Sequence, residues 1–368
     1  MRRLALGIVA AAAVAVIAPQ SAAAAGCGVA ASGYDRGGNP RSAAPNDPLF
    51  GHQWGLQQID APGAWARGAR GKGVTIAIVD TGVDLGHPDL KAKLRAGRDF
   101  VKAHNGLSGP GCRGPQDENG HGTHVAGIAA AITGNGRGVA GTAPAARILP
   151  VRVLDRKGDG DDAAVNAGIR WAADHGAKVI NLSLGGAPVA GDGGATEAAV
   201  KHALSKGALV VAAAGNESLP LCDYPAAARN TVCVAATDRN RLPSFYSNFP
   251  LDPAGTVGVR APGGMGDPFF CESDRDIWST MWPRSDYDHC GGAIRGYDTL
   301  AGTSMAAPFV SGVAALLAGR GLGPRQILQC LKTHSSNHGS YDPVNGYGIV
   351  DARAAVAGCG RNTPRFNG

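Results

Sequence analysis

Four polar residues stand out for the chemistry they could perform together: Asp80, His121, Asn216 and Ser304. A serine hydroxyl becomes a useful nucleophile once a neutral imidazole can take its proton. The imidazole in turn needs a carboxylate to fix its tautomer and steady its charged form. Ser304 lies in Gly302-Thr-Ser-Met-Ala-Ala-Pro308, just before an apolar run at helical spacing (Phe309, Val310, Val313, Leu316, Leu317), which places it at a helix N-terminus. Main-chain N–H groups there lack helical partners and carry the positive end of the dipole, so they can receive an oxyanion forming beside the hydroxyl. Asn216 offers a second, neutral donor to the same oxygen. Each residue also has a plainer reading: Ser304 as a helix N-cap, Asp80 as a cap or ion-pair partner, His121 as a structural imidazole, Asn216 as a turn residue. Four such residues in four matching contexts point instead to acyl transfer.

The elements that must position them follow from periodicity. Residues 73–80 form an apolar, β-branched run ending in Asp80, which suits a buried parallel strand with the acid at its carboxyl end. His121 opens a small-residue helix, with His124 one turn on. Further strands are expected at 147–154, 179–184, 209–214, 231–236 and 257–261, and helices at 162–175, 196–206 and 324–333. In the 162–175 helix, Asp161 or Asp162 is the cap, Val165, Ile169 and Ala172 face inward, and Gly176 is the stop. Strands alternating with helices imply an α/β fold, a mostly parallel sheet with helices on both faces, because parallel strands need crossovers. Asn216 then falls just past a strand's carboxyl end, the rim where open α/β sheets bind ligands. Residues 263–296, polar and glycine-rich, are expected to be surface insertions held by a disulfide, and the chain beyond Gly360 a loose tail.

Composition sets the class. The 368 residues are 44% hydrophobic and 17% charged, enough for one large core. A net charge of +6 is spread over 35 basic and 29 acidic residues without a long basic block, so no nucleic-acid partner is expected. Met1-Arg2-Arg3, the apolar run from Leu4 to Ala18 and the alanines ending at Ala25 read as a signal peptide, 1–25, and hence as export. No later stretch reaches the ~18 apolar residues of a membrane span. Eight cysteines in an exported chain without a Cys-x-x-Cys pair suggest disulfides. Joining near neighbours gives Cys222–Cys233, Cys271–Cys290 and Cys330–Cys359, leaving Cys27–Cys112. Lipidation at Cys27 would leave an odd number of cysteines, so secretion is expected in place of a lipid anchor.

Val79-Asp80-Thr81-Gly82, with His87-Pro88-Asp89-Leu90 beyond it, His121-Gly-Thr-His-Val-Ala-Gly127, Ala214-Gly215-Asn216 and Gly302-Thr-Ser-Met-Ala-Ala-Pro308 resemble the motifs of the subtilisin-like serine peptidases, in kind and order. The resemblance spans about 47–319 and is nearest to the thermitase-like branch. It implies a subtilisin-like three-layer sandwich and endopeptidase action on polypeptides by a monomer, with Ser304 as nucleophile, His121 as base, Asp80 as orienting acid and Asn216 as oxyanion donor. It also implies that Ser183, Leu184 and Gly185 pair with the substrate backbone. Glu217 would lie near the pocket for the residue preceding the cut bond, favouring basic or polar side chains there.

By the same resemblance a structural Ca²⁺ would be held by Asp47, Asp89 and the loop 132–139, with Asn135 as side-chain ligand and the carbonyls of Ile132, Arg137 and Val139 assisting. Gly134, Gly136 and the cationic Arg137 depart from that branch's loop. The catalytic domain is expected at 47–359, with 26–46 a short arm too small to be an inhibitory prodomain and resembling that of the mycosin branch. Two other readings compete. A non-catalytic peptide-binding or assembly protein on this fold is opposed by the intact four residues, and a dinucleotide-binding oxidoreductase by glycines at 68–73 that precede the strand instead of following it.

Overall fold

All six residues of β1 (Thr75–Asp80) are buried, as a strand covered on both faces requires. The computed structural model describes residues 44–101, 114–186, 193–250, 255–266, 274–285, 287 and 294–367. The expected signal peptide, nearly all of the arm, and the pairs Cys27–Cys112 and Cys271–Cys290 lie outside them. Six further strands join β1: β2 (Arg98–Asp99), β3 (Arg147–Arg152), β4 (Val179–Leu182), β5 (Leu209–Ala213), β6 (Thr231–Thr237) and β7 (Val257–Pro262). They form one parallel sheet in the order β2-β3-β1-β4-β5-β6-β7. Because the chain passes from β3 back across β1 to β4, the carboxyl ends of β1, β4 and β5 flank the point where the winding reverses.

Alternate residues of the strands feed two cores. Ile76, Ile78, Leu209 and Val211 pack with α1 (Trp54–Gln58), α2 (Ala61–Ala66), α3 (His121–Ala130), α6 (Thr303–Ala318), α7 (Pro324–His334) and α8 (Ala352–Gly358). Ala77, Val79, Ile180 and Val210 pack with α4 (Asp162–Asp174) and α5 (Gly193–Ser205) on the other face. The fold is thus the expected three-layer α/β sandwich. At α4 the cap is Asp161, which accepts the N–H of Ala164, while Val165, Ile169 and Ala172 are buried and Gly176 ends the helix at a φ of 83°. The sulfurs of Cys222 and Cys233 are joined, as are those of Cys330 and Cys359. Among the described residues no helix is long and apolar enough to cross a membrane.

Two expectations are corrected. Within 263–296, residues Ile277–Thr280 form a buried strand, β8, paired antiparallel with β9 (Tyr297–Leu300) and packed on α3. Its polar residues look like surface but satisfy helix carbonyls: Ser279 Oγ donates to His124 O at 2.6 Å and Thr280 Oγ1 to Thr123 O at 2.7 Å. The C-terminal tail is not loose either. Phe366 is buried, its N–H donates to Arg325 O at 2.9 Å, and the Gln326 amide donates to the carbonyls of Arg361 and Thr363.

Candidate active site

The helix carrying His121 is fixed at both ends. Asp117 is fully buried and accepts from the N–H groups of Asn119, Gly120 and Thr123 (2.9–3.0 Å) and from the hydroxyls of Thr123 (2.5 Å) and Thr81 (3.0 Å). A carboxylate so placed satisfies the unpaired donors of the first turn and complements the dipole. At the far end the Lys93 ammonium donates to the carbonyls of Ala130 (2.5 Å) and Pro144 (2.9 Å), and burial, aided by the nearby Arg70, pushes its pKa down to about 7. Gly122 is required by close approach, since a Cβ there would lie 2.1 Å from Gly82 O and 3.1 Å from Asp80 Oδ1.

This clamp sets the imidazole against β1. His121 Nδ1 is 2.8 Å from Asp80 Oδ1, with Asp80 wholly buried and the imidazole 16% exposed. The same oxygen accepts the Thr81 N–H at 2.7 Å, while Thr81 Oγ1 accepts the Gly122 N–H. A carboxylate accepts, so Nδ1 carries the proton and the Nε2 lone pair is free to act as a base. Burial drags the His121 pKa down, but the Asp80 charge and hydrogen bond, with Asp117 behind them, outweigh it and the net shift is upward. His124, one turn on, is buried and its pKa is pushed down to about 3 by burial and by His121, so it stays neutral.

Ser304 sits at the second position of α6, after the N-cap Gly302, and is therefore not itself the cap. Its N–H has no hydrogen-bond partner among the described residues. Pro308 lacks the N–H that would meet the Ser304 carbonyl four residues back, and that carbonyl accepts from Ser183 Oγ at 2.6 Å instead. The contact belongs to a polar chain, Ser311 Oγ to Asn181 Oδ1 (2.8 Å) and Asn181 Nδ2 to Ser183 Oγ (2.9 Å), that ties α6 to β4. Ser304 Oγ donates to Ser183 O at 3.1 Å and in this rotamer makes no hydrogen bond to His121.

Asn216 follows β5. Its Oδ1 accepts from the N–H (2.9 Å) and hydroxyl (3.0 Å) of Thr303. A main-chain N–H can only donate, so the atom facing it must be oxygen, which fixes the amide and leaves Nδ2 without a partner among the described residues. His121, Ser304, Asn216, Ser183, Leu184 and Gly185 all line one cavity of about 690 Å³, with Asp80 behind the imidazole. The main-chain groups of Leu184 and Gly185 make no hydrogen bonds among the described residues. Glu217 turns back, its Oε2 accepting from Asn216 N (2.9 Å) and Asn248 Nδ2 (2.8 Å).

The remaining six sequence candidates also converge, away from this cavity. Asp47 and Asp89 are both buried. Asp47 accepts the N–H groups of Gly134 and Asn135; Asp89 accepts Asn135 Nδ2 (2.7 Å), Tyr297 OH (2.9 Å) and Val139 N (3.3 Å). Burial, with Asp89 adding to it, raises the Asp47 pKa. Among the described residues neither acid has a basic partner, and no hydrogen bond ends on the carbonyls of Ile132, Arg137 or Val139.

The reading from sequence did not find Thr81, Asp117, Asn181, Thr303 or Ser311. Thr81 and Thr303 stand inside the quoted motifs without a role of their own, and Asp117 is one of two acids just ahead of His121.

A parallel α/β sandwich whose rim carries an Asp–His pair, a helix-borne serine and two free N–H donors defines a serine hydrolase. Residues 71–349 match the Subtilase family. Thermitase from Thermoactinomyces vulgaris is 44% identical over 313 residues, covering 85% of this chain and 96% of the relative. Subtilisin Savinase from Lederbergia lenta is 38% identical over 306 residues, covering 82% and 98%. Among solved structures, a protease from Pseudoalteromonas arctica PAMC 21717 superposes with a TM-score of 0.73 at 34% identity, covering 86% of this chain and 99% of that one. The chain belongs to the subtilase family and is a serine endopeptidase.

Proposed function

We propose that Ser304 attacks the carbonyl of a polypeptide bond with His121 as general base, Asp80 as the acid that orients it, and Asn216 Nδ2 with the Ser304 N–H as oxyanion donors. The observation that carries this reading is the 2.8 Å contact between Asp80 and the Nδ1 of an imidazole that shares its cavity with Ser304. Rotation about the serine Cα–Cβ bond moves Oγ from the Ser183 carbonyl toward Nε2, a closure that substrate completes in many hydrolases. Oγ then bonds to the carbonyl carbon as its proton passes to Nε2, and Asp80 steadies the imidazolium. Collapse breaks the C–N bond, Nε2 returns the proton to the leaving amine, and water repeats the sequence to free the acid and Ser304. The main chain of Leu184 and Gly185, next to Ser183 and unpaired among the described residues, supports pairing with an extended substrate. The carboxylate of Glu217, beside Asn216, supports a basic or polar side chain in the pocket before the cut bond.

Around this centre, 47–359 is the catalytic domain, preceded by a signal peptide and a short arm, and the protein is secreted as a monomer. Two joined cysteine pairs accord with export to an oxidising compartment. A structural Ca²⁺ fits the second cluster: two buried carboxylates and three carbonyls that, among the described residues, have no basic partner and no donor respectively, and a carboxamide beside them, are hard oxygen ligands. Asp47, Asp89, Asn135 and the carbonyls of Ile132, Arg137 and Val139 would hold it, once the Asn135 amide turns its oxygen inward. When bound, the ion supplies charge neutralisation to the loop and no chemistry to the cavity.

The test is cleavage of an unstructured protein by wild type and Ser304→Ala, with the new termini sequenced. Cleavage by the wild type alone supports the assignment, and equal cleavage by both removes it.

A further inference from the structure

Beside the cavity lies a buried acid that the reaction does not use. Asp223 is 5% exposed and stands in a short strap between the two walls of the cleft. Its N–H donates to Ala214 O at 2.9 Å, while Tyr224 exchanges both main-chain hydrogen bonds with Gly186 at 3.1 Å. One side of the strap is thus bonded to the segment leading to Asn216, the other to the segment following Ser183, and Cys222, joined to Cys233 of β6, anchors it from below. Gly185, Gly186, Asn216, Tyr224 and Pro225 line the same cavity as Ser304.

The carboxylate lies where both walls lack side chains. A Cβ on Gly215, whose φ is 109°, would fall 2.6 Å from Asp223 Oδ2, and one on Gly185 would fall 3.8 Å from it. Oδ2 accepts no hydrogen bond among the described residues. Oδ1 is reached only by Asn248 Nδ2 at 3.5 Å, and that amide is engaged by Glu217 at 2.8 Å and Ala214 O at 3.1 Å. Neither Asp223 nor Glu217 has a basic partner among the described residues. Burial, and then the neighbouring Glu217, push the Asp223 pKa up to about 6. An acid held this way inside a protein is costly unless a cation or donor joins it.

We infer that Asp223 is the specificity-determining residue for the side chain preceding the cut bond, and that it selects substrates with arginine or lysine there, Glu217 adding to the field from the rim. The inference rests on Ser304 and Asn216 being the reaction centre, since the walls on either side of Asp223 lead directly to them. A guanidinium or ammonium entering between Gly185 and Gly215 meets an unused carboxylate oxygen and relieves the repulsion between the two acids. A neutral side chain of similar length leaves that oxygen buried and unpaired, the situation in which enzymes discriminate most strongly.

The experiment compares kcat/KM across peptides that differ only in the residue before the cleaved bond: arginine, lysine, norleucine, phenylalanine and glutamate. The expected result is cleavage after arginine or lysine about 10²-fold or more above norleucine, with the ratio in Asp223→Asn falling below about 10 and that in Glu217→Gln falling less. A wild type that prefers norleucine or phenylalanine, or an Asp223→Asn variant that keeps the full ratio, overturns the inference. Labelling of each variant by a fluorophosphonate, which carries no such side chain, separates the two claims. Labelled enzyme without a basic preference refutes the role of Asp223 alone, whereas an unlabelled wild type refutes the reaction centre as well. The Asn variant keeps the shape of the acid, and its thermal melt shows whether it is folded.

Discussion

Replacing Asp80 by asparagine tests how the acid acts on the base. Asp80 Oδ1 accepts both the Thr81 N–H (2.7 Å) and the His121 Nδ1–H (2.8 Å), and Oδ2 is buried with no partner among the described residues. Because a main-chain N–H must face an acceptor, the new amide keeps its oxygen at the Oδ1 position and puts its NH₂ where Oδ2 was. The imidazole therefore keeps its productive tautomer, and what is lost is the negative charge beside the imidazolium. With charge centres about 4 Å apart and an effective dielectric of about 20, that charge is worth about 4 kcal/mol, or about 10³ in kcat. The acid limb of kcat/KM also moves. His121 must be neutral to accept a proton, and its raised pKa puts the wild-type limb above the ordinary value of about 6.5. In Asp80→Asn the largest influence opposing burial, the Asp80 charge, is gone and only the hydrogen bond to the amide oxygen and the more distant Asp117 remain, so the pKa falls and the limb shifts to lower pH. Stopped-flow or steady-state rates on a chromogenic peptide from about pH 5 to 9 measure both effects. A kcat within tenfold of wild type, or a limb that moves upward, would refute the reasoning.

Other perturbations probe other parts of the site. Asn216→Ala removes the proposed oxyanion donor, so kcat should fall by about 10²–10³ while KM changes little; a pure KM effect would assign Asn216 to substrate binding alone. Asp117→Ala leaves five donors at the head of the His121 helix without their acceptor and should cost at least about 3 kcal/mol in urea unfolding. A loss under about 1 kcal/mol would show that water or another group replaces it. If Asp47 and Asp89 hold Ca²⁺, chelation of protein kept at about 100 times the dissociation constant removes about 2.7 kcal/mol and lowers the Tm by several degrees. Identical melts with and without chelator would remove the ion from the account.

The sequence revealed what is local. β1 ends at Asp80 and α4 begins after Asp161, because β-branched runs and capping acids act within a few residues. It did not reveal Asp117 or Asp223, because the burial of an acid depends on chain tens of residues away in sequence, Thr81 for the first and Gly185 and Asn248 for the second. Nor did it reveal β8, whose serine and threonine look like surface until the carbonyls of α3 are laid against them. The tail hides for a related reason: its one buried apolar side chain, Phe366, has no periodic company, and its other ties are hydrogen bonds from α7 side chains to tail carbonyls, which follow no sequence pattern. Ser304 shows both sides, since its helix was legible while its turn toward Ser183 O depends on the neighbouring strand.

The most direct test of the account is the site of covalent capture. After reaction with a fluorophosphonate, intact-mass and peptide mapping should find one adduct, on Ser304, formed faster as His121 loses its proton and absent from Ser304→Ala. An adduct on another residue, or peptide hydrolysis that survives in Ser304→Ala, would contradict it.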